Sequence, residues 1–171
     1  MSKNDDEELY VKSRRGNWSA AGIPHKGWSC THVDDLGEPT QICDMCEASQ
    51  VRYVHYMKHP KLEKEFAVGR VCASHMEGNY TAANAREKMM RNRAVKKKRW
   101  LTRKWKTSNK GNPFIKDDGY VVSIFPKDKG WCYSMKVDGS DKPIYSKAYD
   151  SEEQAKFAAF DHITKSLLDT K

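Results

Sequence analysis

Apolar and polar residues alternate in five short runs of the chain, and each run predicts a β-strand. The runs are residues 51–57, 65–68, 120–125, 131–137 and 144–149. Ser151 then opens a segment whose apolar residues recur at helical spacing, namely Ala155, Ala158, Ala159, Ile163 and Leu167. The pattern over 112–171 therefore predicts a three-stranded antiparallel sheet packed on one helix.

A longer helix is predicted from residue 82 to about residue 106, where good helix formers follow one another without Gly or Pro. Thr81 is suited to cap its first turn. Gly111 and Pro113 lie in a polar stretch that ends the helix and forms a short linker. Residues 1–16 are polar and charged, and we expect them to be a flexible lead.

Cysteines and one histidine stand at the spacing of metal ligands. Cys43 and Cys46 form a Cys-x-x-Cys knuckle, and Cys72 and His75 follow as a Cys-x-x-His pair after 25 intervening residues. Three sulfurs and one nitrogen complete a tetrahedral zinc site with no open position, which favours a structural role. His32, His55 and His59 are alternatives to His75 as the fourth ligand. Two further cysteines, Cys30 and Cys132, lack a partner at ligand spacing.

The order of knuckle, hairpin and helix start resembles a treble-clef zinc finger. The predicted fold class is therefore α+β: a small treble-clef-like zinc unit with a long basic helix, followed by the three-stranded sheet and its helix. The predicted organisation is a flexible N-terminal lead (1–16), a zinc-binding unit (17–80), a basic helix and linker (81–110) and a sheet-plus-helix domain (112–171).

Nearly all of the net charge of +8 lies in one stretch of the chain. Residues 82–110 carry 12 Lys and Arg against one acidic residue, whereas residues 1–81 carry 10 against 12 and residues 112–171 carry 9 against 10. So many like charges repel one another, and a polyanion would compensate them. The candidate phosphate contacts of this helix are Arg86, Lys88, Arg91, Arg93, Lys96, Lys97, Lys98, Arg99, Arg103, Lys104 and Lys106.

The segment 120–163 resembles the three-stranded DNA-binding domain of plant ethylene-response factors, related forms of which occur in phage integrases and homing endonucleases. The resemblance rests on Gly130-Trp131 at the start of the second strand, Tyr145-Ser-Lys-Ala-Tyr149 at the end of the third, and the helix from Asp150. It implies a sheet that lies in the DNA major groove. The residues it would place there are Ser123, Lys127, Trp131, Tyr133, Lys136 and Lys147. Because this segment is nearly neutral, a protein-binding or scaffolding role stays open.

The whole chain also resembles uncharacterised bacterial and phage zinc-finger proteins, through Tyr53-Val-His55-Tyr-Met57 and Val68-Gly-Arg-Val-Cys72-Ala73. No activity follows from that resemblance. The chain has no 18-residue apolar run and begins without a secretory pattern, so we expect a cytoplasmic protein with reduced thiols and no membrane partner.

These features favour a non-catalytic, zinc-containing protein that binds nucleic acid, DNA more readily than RNA. One alternative is an adaptor, or a phage-type inhibitor, that docks on an acidic protein. Another is a nuclease of the His-Me finger class, in which His55 and His59 would serve with a metal. Against a nuclease, no carboxylate stands next to His55 in a His-x-Asp-His arrangement.

Overall fold

The computed structural model describes residues 3–169 and divides into two compact units, Met1–Ala94 (unit 1) and Val95–Lys171 (unit 2). The chain is a mixed α+β protein with antiparallel sheets, as the sequence predicts. In the described part of the chain, no helix combines the length and the apolar character needed to cross a bilayer.

Unit 1 combines two small antiparallel sheets with three α-helical segments and a 3₁₀ turn at Gly16–Trp18. Its strands are β1 (Ser29–Asp35), β2 (Gln41–Ile42), β3 (Gln50–Val51), β4 (Tyr53–Lys58) and β5 (Phe66–Val68), and its helices are α1 (Lys3–Lys12), α2 (Arg70–Glu77) and the first part of α3 (Tyr80–Trp100). Strands β1, β4 and β5 form an antiparallel sheet with β4 in the centre, and β2 pairs with β3. The predicted runs 51–57 and 65–68 correspond to β4 and β5, whereas β1 lies outside every predicted run.

The N-terminal segment is a helix and not the flexible lead predicted for residues 1–16. Tyr10 and Val11 of α1 pack against the core of unit 1, beside Trp18. The sequence signal is weak because the apolar residues of α1 are few and do not line one face. The helix is therefore stabilised by its contacts with the rest of unit 1.

Helix α3 begins and ends at different residues from those predicted. The Asn79 side chain accepts a hydrogen bond from the Ala82 amide at 3.0 Å, so Asn79 and not Thr81 caps the helix. The helix ends at Trp100, whose carbonyl accepts a hydrogen bond from the Trp105 indole at 3.1 Å. Residues 106–107 then leave the helix to pair as a strand.

Unit 2 contains a five-stranded sheet in place of the predicted three strands. The strands are β6 (Lys106–Thr107), β7 (Pro113–Asp117), β8 (Tyr120–Lys127), β9 (Gly130–Val137) and β10 (Ile144–Tyr145), in the order β10-β9-β8-β7-β6. The predicted linker is the turn between β6 and β7, where the Ser108 amide bonds to the Asn112 carbonyl at 2.8 Å. Gly111, at φ +80°, supplies the left-handed residue of this turn.

Helix α4 (Glu152–Asp169) covers one face of this sheet. Its buried residues Ala155, Ala159 and Ile163 pack against the inward residues of the central strands, Val122, Ile124, Tyr133 and Met135. Trp100 completes this core and is 1 % exposed. The helical stripe read from the sequence therefore faces the sheet as predicted, except that Leu167 lies where no side chain is described.

Tyr133 gives unit 2 an expected pH response. Its hydroxyl lies 2.8 Å from Nδ1 of His162, and burial, with the nearby Tyr149 and Asp161, raises its pKa above the ordinary value of 10. Ionisation is therefore less favourable in the folded state, so stability holds below pH 10 and falls as pH rises through the raised pKa. We expect Y133F to cost about 1 kcal/mol at pH 8 and to weaken the alkaline loss.

Urea unfolding of unit 2 between pH 8 and pH 11.5 measures this effect. Y145F is the matched control, because the Tyr145 side chain is 70 % exposed and makes no buried hydrogen bond among the described residues. An alkaline loss in Y133F as steep as in the wild type would contradict the assignment.

Candidate metal centre and cationic surfaces

The Cys43–Cys46 knuckle is shaped by local backbone bonds. The Glu47 amide bonds to the Cys43 carbonyl at 2.8 Å, and the Cys43 amide bonds to the Ser49 carbonyl at 2.9 Å. Glu47 has the left-handed φ of 53°, which turns the chain back after the second cysteine. Gly16 lies against this turn, since a Cβ there would meet the Cys46 carbonyl carbon at 2.7 Å. The turn holds both thiols on one side.

Helix α2 supplies the third thiol, that of Cys72. The three Sγ atoms lie within 4.8 Å of one another and all three residues are buried. Tetrahedral zinc with Zn–S bonds of about 2.3 Å separates its sulfurs by about 3.8 Å, so the spacing fits a metal ion. Three of the four predicted ligands are therefore brought together, and this group can hold a metal.

The thiols of the cluster hydrogen-bond to one another and shift each other's pKa values. Hydrogen bonds from Cys43 and Cys72 lower the pKa of Cys46, whereas the bond with Cys46 raises the pKa of Cys43 to about 12. Hydrogen bonds to Cys43 and Cys46 likewise raise the pKa of Cys72. The hydrogen bonds thus favour the thiolate form of Cys46 and the protonated form of Cys43 and Cys72. A bound cation would allow all three to ionise, because buried like charges otherwise repel.

The histidines lie outside this group. His75 Nε2 is 3.0 Å from Oε2 of Glu8, on α1, and its ring meets Trp18 edge-on. Its side chain therefore turns toward α1, in the N-terminal segment predicted to be a flexible lead. The other candidates also have other neighbours: His32 stacks on Tyr56 at 4.2 Å, His55 faces α3, and Nδ1 of His59 accepts the Lys61 amide. Among the described residues, only the three cysteines form a metal-ligand group.

Glu87 is the centre of a buried charged cluster that the sequence pattern does not predict. It is 7 % exposed, and its carboxylate accepts a bond from Arg91 Nε at 3.0 Å and lies 3.7 Å from Arg70 Nε. Fully buried His55 presents Nε2 to it at 3.8 Å. Burial raises the pKa of Glu87, but His55, Arg91 and Arg70 lower it more, so the group stays ionised.

Glu7 extends this cluster from α1. Its carboxylate accepts a hydrogen bond from the Val71 amide at the start of α2, yet burial and the nearby Cys46 raise its pKa to about 7. Glu87 is the single acid of the basic stretch, and this isolation is the only sequence signal that could have marked it. Nothing in the sequence marks Glu7, because its neighbours come from distant segments.

A surface cleft of about 420 Å³ lies over this cluster in unit 1. It is lined by three cations, two amides, one tyrosine and the buried acid: Arg70, Lys88, Arg91, Asn84, Asn92, Tyr80 and Glu87. Lys88 is exposed, and the Arg91 side chain is 62 % exposed despite its bond to Glu87. The cleft therefore presents a net positive charge and several hydrogen-bond donors to solvent.

Several of the predicted phosphate contacts instead pair with carboxylates of the protein. The pairs are Arg86–Glu77, Arg91–Glu87, Lys96–Asp118, Lys97–Asp161 and Arg103–Asp117. Arg93 also has a partner. In the described part of the chain no carboxylate pairs with the exposed remainder, Lys88, Lys98, Arg99, Lys104 and Lys106. The positive surface is consequently smaller than the charge count implies.

The sheet residues named from the sequence do not share one face. Tyr133 is 6 % exposed, and Trp131 packs against the same core beneath α4, so both are directed away from the outer face. Ser123 and Lys136 lie on the opposite, outer face by their strand register. Lys127 and Lys147 are exposed, the latter 5.7 Å from the centre of the Tyr149 ring.

The geometry thus supplies two independent features, a buried thiol group and separate cationic surfaces in the two units. The resemblances noted from the sequence stay predictions. No family model, curated protein or solved structure matches this chain.

Proposed function

We propose that this protein is a non-catalytic, zinc-containing nucleic-acid-binding protein that contacts phosphates through the cationic surface of α3. The observation that carries the proposal is the cleft where Arg70, Lys88 and Arg91 converge over a single acid, Glu87, that is withdrawn from solvent. Nucleic-acid backbones are the polyanions that such a surface fits.

The chemistry of the cleft suits a phosphate oxygen. Arginine guanidinium groups bind phosphate through paired N–H donors, and Lys88 adds a mobile positive charge. Glu87 bonds to Arg91 and lies close to Arg70. This carboxylate therefore holds both guanidinium groups in place at the cleft. The amides of Asn84 and Asn92 supply neutral donors, and the exposed ring of Tyr80 offers a stacking surface.

Zinc is the metal we propose for Cys43, Cys46 and Cys72, because three thiolates are soft ligands that suit it in a reducing compartment. We propose His75 as the fourth ligand in a treble-clef-like arrangement. Its ring lies outside the thiol group, with Nε2 3.0 Å from Oε2 of Glu8, so ligation would require the ring to turn toward the three sulfurs. When bound, zinc supplies structural cross-linking of the knuckle to α2. The core residues of unit 1 surround the three thiols and exclude water from them.

Equilibrium binding to fluorescent 20-mers at rising salt tests the proposal. With about four phosphate contacts, affinity is expected to fall roughly tenfold between 100 and 200 mM salt. The double variant K88A/R91A is expected to reduce the magnitude of the log–log salt slope by about 2 and to weaken binding for every sequence alike.

K58A/K61A is the matched control, because both lysines are exposed in unit 1 away from the cleft. Its affinity should stay within about twofold of the wild type. Wild-type protein that binds no nucleic acid at 50 mM salt would refute the proposal, as would equal effects of the two double variants. In that case an acidic protein partner becomes the better interpretation, and plasmid cleavage with magnesium would reveal a nuclease.

A further inference from the structure

The outer face of the unit 2 sheet, opposite α4, has an unusual composition. Strand register places these residues on it: Lys106, Phe114, Lys116, Val121, Ser123, Phe125, Lys127, Gly130, Cys132, Ser134, Lys136 and Tyr145. Partners in register share a face, and every second residue of a strand returns to it. The strand positions of this face thus hold four lysines and three aromatic residues but no carboxylate.

The aromatic residues form part of a row across the sheet. Lys106 pairs with Phe114, Phe114 with Ser123, Ser123 with Ser134, and Ser134 with Tyr145. Tyr145 is 70 % exposed, and its ring meets Phe125 edge-on with the centroids 6.3 Å apart. Phe125 is half-buried, so Tyr145 is the aromatic residue of this pair that offers a free ring face to another molecule.

Lysines flank this aromatic row. In the neighbouring row Lys116 and Lys136 lie on either side of Val121, two strand spacings or about 10 Å apart. The Lys116 side chain is 60 % exposed and contacts Asp138 at the sheet margin. At the β6 edge, a cleft of about 300 Å³ is lined by Arg103, Lys104, Lys106, Lys116 and Ile115. Arg103 and Lys116 pair with Asp117 and Asp138, so Lys104 and Lys106 carry the positive charge from the face to its edge.

We propose that this face binds single-stranded nucleic acid, with an unpaired base stacked on Tyr145 and phosphates held by the flanking lysines. The inference rests on the proposed function and assigns it a substrate class. A duplex hides its base faces within the stack, whereas a single strand can lay them on an aromatic ring. The seryl hydroxyls of Ser123 and Ser134, between the aromatic residues, can hydrogen-bond to base edges. A protein partner would have to be acidic to fit Lys106, Lys127 and Lys136, which pair with no carboxylate among the described residues, whereas Lys116 pairs with Asp138.

Binding of the full chain to labelled dT12, rU12 and a 12-base-pair duplex tests the assignment at a fixed 100 mM salt. Loss of one stacked base by alanine substitution costs on the order of 5- to 100-fold in affinity. We therefore expect Y145A to weaken dT12 or rU12 binding by this factor and to change duplex binding less than twofold. Y145F should retain most of the wild-type affinity, because it keeps the ring.

I144A is the matched control, since Ile144 is the neighbouring residue on the other side of the same strand and is 47 % exposed. K136A should lower the affinity for the single strand and the magnitude of its salt slope. In the K136A background, Y145F should still bind the single strand more tightly than Y145A. Equal single-strand affinity of Y145A and wild type would overturn the inference while duplex binding through α3 still stands. If the wild type binds neither form, the proposed function fails together with this inference.

Discussion

Removing the zinc proposed for the three cysteines, or replacing Cys72 by serine, is expected to unfold unit 1 and to leave unit 2 folded. Cys43, Cys46 and Cys72 are buried among Met45, Trp18 and the other core residues of unit 1, so the proposed zinc would tie the knuckle to α2 at the centre of that core. Zinc binding to such sites contributes on the order of 10 kcal/mol, comparable to the whole stability of a small domain. The core of unit 2 contains none of these thiols.

Amide NMR spectra of the full chain measure this outcome before and after addition of a strong chelator. Signals from unit 1 should collapse into the unfolded region, and those from residues 95–169 should keep their dispersion. C30S is the matched control, because Cys30 lies in unit 1 outside the thiol group. If the unit 1 signals persist in the chelated protein, the thiols do not hold a structural metal.

Cobalt substitution adds a measure of the ligand set. Thiolate-to-cobalt charge-transfer absorption should have the intensity of three sulfur ligands in the wild type. It should be lost in C43S, which we expect to unfold unit 1 as the Cys72→Ser variant does. H75A should lower metal affinity by about 10- to 100-fold if the histidine ligates or orients the site. An unchanged affinity in H75A would exclude it as the fourth ligand.

Replacing Trp100 by alanine is expected to destabilise unit 2 by about 3–5 kcal/mol. The side chain is 1 % exposed, packs against Trp105 and Phe160, and donates its indole N–H to the Lys156 carbonyl at 2.8 Å. Its removal leaves a large cavity and takes from the Lys156 carbonyl on α4 the hydrogen bond that the indole donates. A loss of this size is a large part of the stability of a unit of this length.

Urea unfolding followed by circular dichroism measures the loss. W100F keeps an aromatic ring but not the N–H donor, so it should cost less than W100A, about 1–2 kcal/mol. V137A serves as the control, because Val137 is 55 % exposed on the same unit. Equal stabilities of W100A and V137A would show that the Trp100 side chain does not contribute to this core.

Counting charges along the sequence predicts only part of the cationic surface of the basic stretch. The sequence predicts its helical character, its basic excess and its lack of exposed acids, because these depend on residues close together in the chain. It does not predict that Lys97 bonds to Asp161 or Arg103 to Asp117, because these partners are separated by 64 and 14 positions. The tertiary structure therefore removes several cations from the available surface and leaves others, such as Lys88, exposed.

Local signals were sufficient for the knuckle at Cys43 and Cys46, the turns of unit 2 and the apolar stripe of α4. Each depends on backbone geometry or periodicity within a few residues. The position of Cys72 beside the knuckle was also predictable, since metal-ligand spacing implies convergence across a long loop.

Contacts between residues far apart in the chain determine the other features of the structure. Helix α1 is stabilised by packing on unit 1, β6 and β7 by pairing with each other and with β8, and the ionised state of Glu87 by arginines from two helices. Short or polar segments gain too little from local interactions to specify their conformation, so burial against distant residues selects it. For the same reason, only the assembled sheet separates Tyr133 on the inner face from Lys136 and Tyr145 on the outer face.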